Sequence, residues 1–136
     1  MRRHAEQRCH LDDRGATAVE FALILPLLLL FLFGVVQFGF LFSVYNTMVH
    51  AAREGARGMA VEQMNEADGQ TLTRARLSAY SGLPFTVVTD APDPTVPTDL
   101  DVTVAVSVPM ADAMFVDVLG LAQGRNISTQ VVMRRE

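Results

Sequence analysis

From Phe21 to Phe42 the chain runs for 22 residues without a charge, and Gln37 is its only strongly polar side chain. Coiled as a helix, such a run is roughly 33 Å long, about the hydrocarbon thickness of a bilayer. That one segment predicts a transmembrane helix and excludes a plain soluble globular chain. In a protein of 136 residues the remainder is enough for one modest domain, too small for a large core or a multidomain enzyme.

Charge sets an expected orientation. Arg2, Arg3, Arg8 and Arg14 precede the apolar run, whereas Arg53 and Arg57 are the basic residues that closely follow it. The positive-inside rule therefore predicts a cytoplasmic N-terminus and a C-terminal part outside the cytoplasm. A cleaved secretory signal is the obvious competitor. Its apolar core runs roughly 7–15 residues and ends in a small-residue cleavage site. Here the run is longer and leads into Ser43-Val44-Tyr45-Asn46, with no A-x-A pattern, so the span is expected to stay.

The junction Arg14-Gly15-Ala16-Thr17-Ala18-Val19-Glu20-Phe21 carries the most information. A carboxylate at the mouth of a membrane span is costly and needs a reason. The plain reading is that Glu20 reaches to water or favours the positive end of the helix. A sharper one comes from spacing. Were the chain cut after Gly15, Ala16 would gain a cationic amine and Glu20 would stand four residues on, on the same helix face. The two charges could then neutralise each other within one molecule or between packed neighbours.

Arg14-Gly15, four small or apolar residues, then Glu20-Phe21 and a long apolar run resemble the processing site of type IV pilins and pseudopilins. The continuation Ala18-Val19-Glu20-Phe21-Ala22-Leu23-Ile24-Leu25-Pro26 and the later run Ala51-Ala52-Arg53-Glu54-Gly55-Ala56-Arg57 resemble the TadE-like family in particular. These are minor pseudopilin-type components of tight-adherence (Tad, Flp-type) pili. The resemblance implies cleavage between Gly15 and Ala16 by a membrane-embedded prepilin peptidase, and a part for Glu20, beside Phe21, in recognition or assembly. It also implies partners among pilin or pseudopilin subunits and the Tad machinery.

Within the span, Pro26 lacks the N–H that would bond the Ala22 carbonyl, so a bend or a neighbour's donor is expected there. Gly34 and Gly39 do not share the spacing of a G-x-x-x-G face. The helix is expected to continue past the bilayer as a stem to about residue 66. Ala52, Gly55 and Ala56 form its narrow face, suited to tight packing on another helix; Arg53 and Arg57 form a charged row beside it. Asp68-Gly69 reads as the break, with Thr71 or Asp68 capping a short helix near Leu72 to Ser81.

The residues beyond read as strands. Phe85 to Thr89 is a short one, and Pro92, Pro94 and Pro97 mark a loop. Leu100, Val102, Val104, Val106 and Val108 alternate with Asp101, Thr103, Ala105 and Ser107, the clearest strand signal in the chain. Met110 to Leu121 is ambiguous between a short helix and an apolar loop, and Gly120 and Gly124 bracket a turn. Asn126 to Arg134 reads as the last strand, with Ile127, Thr129, Val131 and Met133 on one side. The expected class is α+β: a long N-terminal transmembrane helix extending into a stem, then a small antiparallel sheet. Residues 1–15 form a cytoplasmic leader, 16–66 the span and stem, and 67–136 a periplasmic or extracellular domain. Packing the stem on the sheet would bury the valine face.

Other chemistry is not expected. A formal charge of −4 with no basic run argues against nucleic acid. Cys9 is a lone cysteine among charges, giving neither an intrachain disulfide nor a lipoprotein site. His4, His10 and His50 make no metal set, and Asp90, Asp93, Asp99 and Asp101 do not match an EF-hand loop. No nucleophile elbow, P-loop or dinucleotide fingerprint occurs. No cofactor, catalytic residue or small-molecule substrate is expected. The leading expectation is a pseudopilin of the inner (cytoplasmic) membrane, in the pilus or at its base. The alternative is an uncleaved single-pass adaptor or sensor with an external ligand-binding domain; a secreted protein that loses its apolar stretch comes third.

Overall fold

The computed structural model describes residues 9–61, 64–92, 95, 100–115, 120 and 122–135, with side chains from Gly15 onward. The leader arginines Arg2, Arg3 and Arg8, the loop residues Asp93, Pro94, Pro97 and Asp99, and residues 116–119 and 121 lie outside the described residues. Helix α1 runs Cys9–Val61, α2 Glu66–Arg76, and a single 3-10 turn Leu77–Tyr80. Strands β1 (Thr86–Asp90), β2 (Asp101–Pro109) and β3 (Asn126–Arg134) follow. The fold is α+β, with one antiparallel sheet in the order β1-β2-β3. The chain divides into two compact units, one ending at Phe38 and one beginning at Gly39.

In the first unit every described side chain from Gly15 to Val36 is exposed, large apolar ones included. This stretch of α1 is long and apolar enough to cross a membrane, and its apolar window is unburied among the described residues. Such a surface fits a helix whose solvent is lipid. Pro26 stands inside the helix, which continues on both sides of it.

The second unit is built on the opposite pattern. Val44, Met48, Ala51, Ala52, Gly55, Ala56, Met59 and Ala60 are buried, a stripe recurring every three or four residues along one face of α1. His50, Arg53 and Arg57 lie exposed on the other side. The stripe joins Leu77 of the 3-10 turn, Val87 of β1 and Val102, Val104, Val106 and Val108 of β2 in a single hydrophobic core. The valine face is thus buried together with the stem.

The helix break differs from the sequence expectation. It falls between Val61 and Glu66, not at Asp68-Gly69, and neither Thr71 nor Asp68 is the cap. The cap is Asn65, whose Oδ1 accepts the Asp68 backbone N–H at 2.8 Å. Glu66 and Asp68 occupy the first turn, Arg74 and Arg76 the last, so both ends of α2 match the helix dipole. Replacing Asn65 by Ala should cost about 1 kcal/mol of folding stability. A urea titration of the full chain in detergent micelles measures this, and an unchanged midpoint would remove the cap from the argument.

The sheet closely follows its sequence pattern. β2 pairs Val106 with Val87 of β1 on one side and Val104 with Val131 of β3 on the other. Its four valines are fully buried, while Thr103, Ala105 and Ser107 on the reverse face are half-buried, less wet than the alternation predicts. Ile127, Thr129, Val131 and Met133 of β3 share the inner side and are half-buried. Side chains of α2 occupy the outer flank of β1: Gln70 Nε2 donates to the Val87 carbonyl at 2.7 Å, and Glu66 Oε1 accepts from the Ala91 backbone at 3.1 Å. After β2 the chain turns at Pro109–Ala113, and Met110 N bonds the Arg125 carbonyl at 2.8 Å. The described part of this segment is a loop, not a helix. Gly120 and Gly124 have φ of 62° and 68°, values that glycine adopts without strain.

Candidate processing and packing segment

Gly15, Ala16, Glu20 and Phe21 all lie on α1 and are exposed. The peptide bond between Gly15 and Ala16 is inside the helix, which begins at Cys9 and passes through it without interruption. Ala16 and Glu20 stand one helical turn apart on a shared face. Gly15 is in open space: a Cβ built there meets nothing within 4 Å. Glycine inside a helix costs about 0.5–1 kcal/mol relative to alanine, and no close approach among the described residues offsets that.

The small-residue face of the stem is different. Ala52 and Ala56 are fully buried, and a Cβ at Gly55 would land on Thr73 Oγ1 and lie 3.4 Å from the Gly69 carbonyl oxygen of α2. A Cβ at Gly58 would come within 3.0 Å of Met64 Sδ and 3.2 Å of Leu72, and one at Gly69 would strike Met59. The helix that this face packs on is thus the chain's own α2, at a crossing with glycines on both sides. Thr73 is buried there, its hydroxyl donating to the Gly69 carbonyl at 2.8 Å. On the rim Arg76 forms an ion pair with Glu54.

Sequence reading missed Thr73, Gly69 and the Glu54–Arg76 pair. Gly69 was legible as a glycine, yet it reads as a breaker unless the close approach of Met59 is known. The Glu54–Arg76 pair spans 22 residues and has no local signal at all. Among the described residues no group of three His, Cys, Asp or Glu is placed to hold a metal ion.

The family model described as TadE-like protein matches residues 15–57. Those residues form a TadE-like segment. It starts at Gly15, includes Glu20-Phe21 and the apolar run, and ends on the stem at Arg57, so it spans both the junction and the small-residue face. The TadE-like family consists of structural components associated with the Tad pilus and is not an enzyme family. The sheet lies outside the TadE-like segment. No curated protein and no solved structure matches the chain.

Proposed function

We propose that this chain is a pseudopilin-type component of a Tad pilus, held in the cytoplasmic membrane by α1 with its sheet on the outer side. A prepilin peptidase removes residues 1–15, and the new ammonium of Ala16 meets the Glu20 carboxylate, within the molecule or on a neighbour. The protein then acts by packing against pilin or pseudopilin subunits, in the filament or at its base.

The observation that carries this reading is the TadE-like match beginning at Gly15. Two physical points support it. Gly15 weakens its helix with no packing need among the described residues, and an approach from outside would supply its reason. The 15–36 surface is apolar and exposed, which suits lipid first and neighbouring apolar helices after assembly.

Intact mass of the protein extracted from membranes of a cell that has the pilus machinery tests the proposal. The expected mass is that of a chain starting at Ala16. A chain retaining Met1 overturns processing and leaves an uncleaved anchor, and one lacking the span as well overturns the anchor itself.

A further inference from the structure

We infer that the outer edge of β3 is a docking site for an extended segment of another protein, which adds to the sheet as a fourth strand. The hydrogen bonds at the two ends of the β2–β3 ladder fix which backbone groups face outward. Met110 N donates to the Arg125 carbonyl at 2.8 Å and Arg135 N to the Leu100 carbonyl at 2.7 Å, and both pairs continue the β2–β3 register. In an antiparallel ladder such pairs alternate with pairs whose backbone groups turn away. Ile127, Thr129, Val131 and Met133 therefore face β2 with their backbone, and Ser128, Gln130 and Val132 turn N–H and C=O outward. β3 is the last strand of the sheet, and among the described residues no hydrogen bond reaches those outward groups. The opposite edge is closed. On β1 the same alternation turns Val87 and Ala91 outward, and there Gln70 and Glu66 of α2 meet the Val87 carbonyl and the Ala91 N–H.

Proteins usually blunt an exposed edge with proline, a bulge or an inward charge. β3 has none of these: its nine residues pair with β2 without a slip, and residues 126–133 include neither proline nor charge. Its inner row, Ile127, Thr129, Val131 and Met133, is half-buried where the β2 valines are fully buried. An incoming strand with apolar residues at alternate positions completes that flank of the core. Exposed cations, Arg125 and Arg134, stand at the two ends of the edge, with no acid between them, in a chain whose formal charge is −4. The segment that fits is apolar on one face and carries a carboxylate at either end. A second copy does not fit, a step that rests on the anchor reading above. Antiparallel self-pairing needs a two-fold axis normal to the sheet. That axis reverses the stem packed along the inner face, whereas stems rising from one membrane run the same way. Parallel self-pairing turns the copy's apolar row to the wet face.

The test uses the full chain in micelles and a probe peptide matched to β3 in length, alternating valine and threonine, with aspartate at both ends. Sedimentation gives the oligomeric state, and NMR gives amide exchange residue by residue. Alone, the protein is expected to be monomeric, with the Ser128, Gln130 and Val132 amides exchanging faster than those of Thr129 and Val131. The probe should slow all three. Protection in the probe-free monomer means that the chain covers its own edge, and protection in a dimer means a second copy; either overturns the inference, as does exchange that the probe leaves unchanged. Gln130→Pro removes one outward N–H and no bond to β2. Its urea midpoint should stay close to that of wild type while probe affinity falls by about tenfold. A probe N-methylated throughout should lose affinity likewise, which tests the edge even where the proline variant unfolds. Undiminished binding in both cases places the probe elsewhere and overturns the docking site. None of these readouts depends on the intact mass, so the processing proposal and this inference fail separately.

Discussion

Gly55→Ala is expected to lower folding stability by about 2–3 kcal/mol, although alanine is the better helix former by about 1 kcal/mol. The new methyl lands on Thr73 Oγ1. Thr73 is fully buried, and its hydroxyl is committed to the Gly69 carbonyl, so it has no free direction to turn. Either the helices separate, an overpacking cost of about 1–3 kcal/mol, or the hydroxyl is left buried without its bond, at about 1–3 kcal/mol. Urea unfolding of the full chain in micelles, followed by circular dichroism, gives the value. The partner substitution decides the cause: in a Thr73→Ala background the same Gly55→Ala change should become nearly neutral. If the two changes simply add, the crossing is not the origin of the loss.

Glu20→Gln is expected to leave processing intact while reducing recovery with the assembled pilus complex by more than tenfold. The substitution keeps the shape of the side chain and removes its charge. Under the proposed processing it leaves the Ala16 ammonium without a counter-charge as helices pack in a lipid environment. Breaking a buried pair by removing one partner costs about 3–5 kcal/mol, and each 1.4 kcal/mol is about tenfold in an equilibrium. Intact mass reports processing and quantification in sheared or purified complexes reports recovery, so the two steps are read separately. Recovery equal to wild type would sink the assembly role of this carboxylate.

How much of this was legible beforehand depends on the range of the forces involved. The alternation Val102, Val104, Val106, Val108 names a half-buried strand directly, because side chains on a strand change face at each step, and β2 occupies Asp101–Pro109. The last strand and the two left-handed glycines are local in the same sense. The span is legible because lipid imposes a length. The helix break was misplaced although Asn65 stood in view. Gly69 outweighs it when only propensity is counted, and the contact with Met59 that makes a glycine useful inside α2 is tertiary. At the junction, the spacing of Gly15, Ala16 and Glu20 is a local pattern. The packing of Phe115 on Phe40 depends on 74 residues of intervening chain and could not be read from either end.

The unbroken course of α1 through Gly15 and Ala16 would set a kinetic condition on the proposed processing. Proteases nick irregular, exposed backbone most readily, whereas this amide is held within a regular coil. Hydrolysis then waits for a brief local opening, and its rate follows how often the open form occurs when reclosing is fast. A glycine at that step raises the frequency of opening, since it gains the most freedom on leaving the coil. Under the proposed processing, residue 15 would act as a timer, metering how soon after insertion the amine of Ala16 is unmasked.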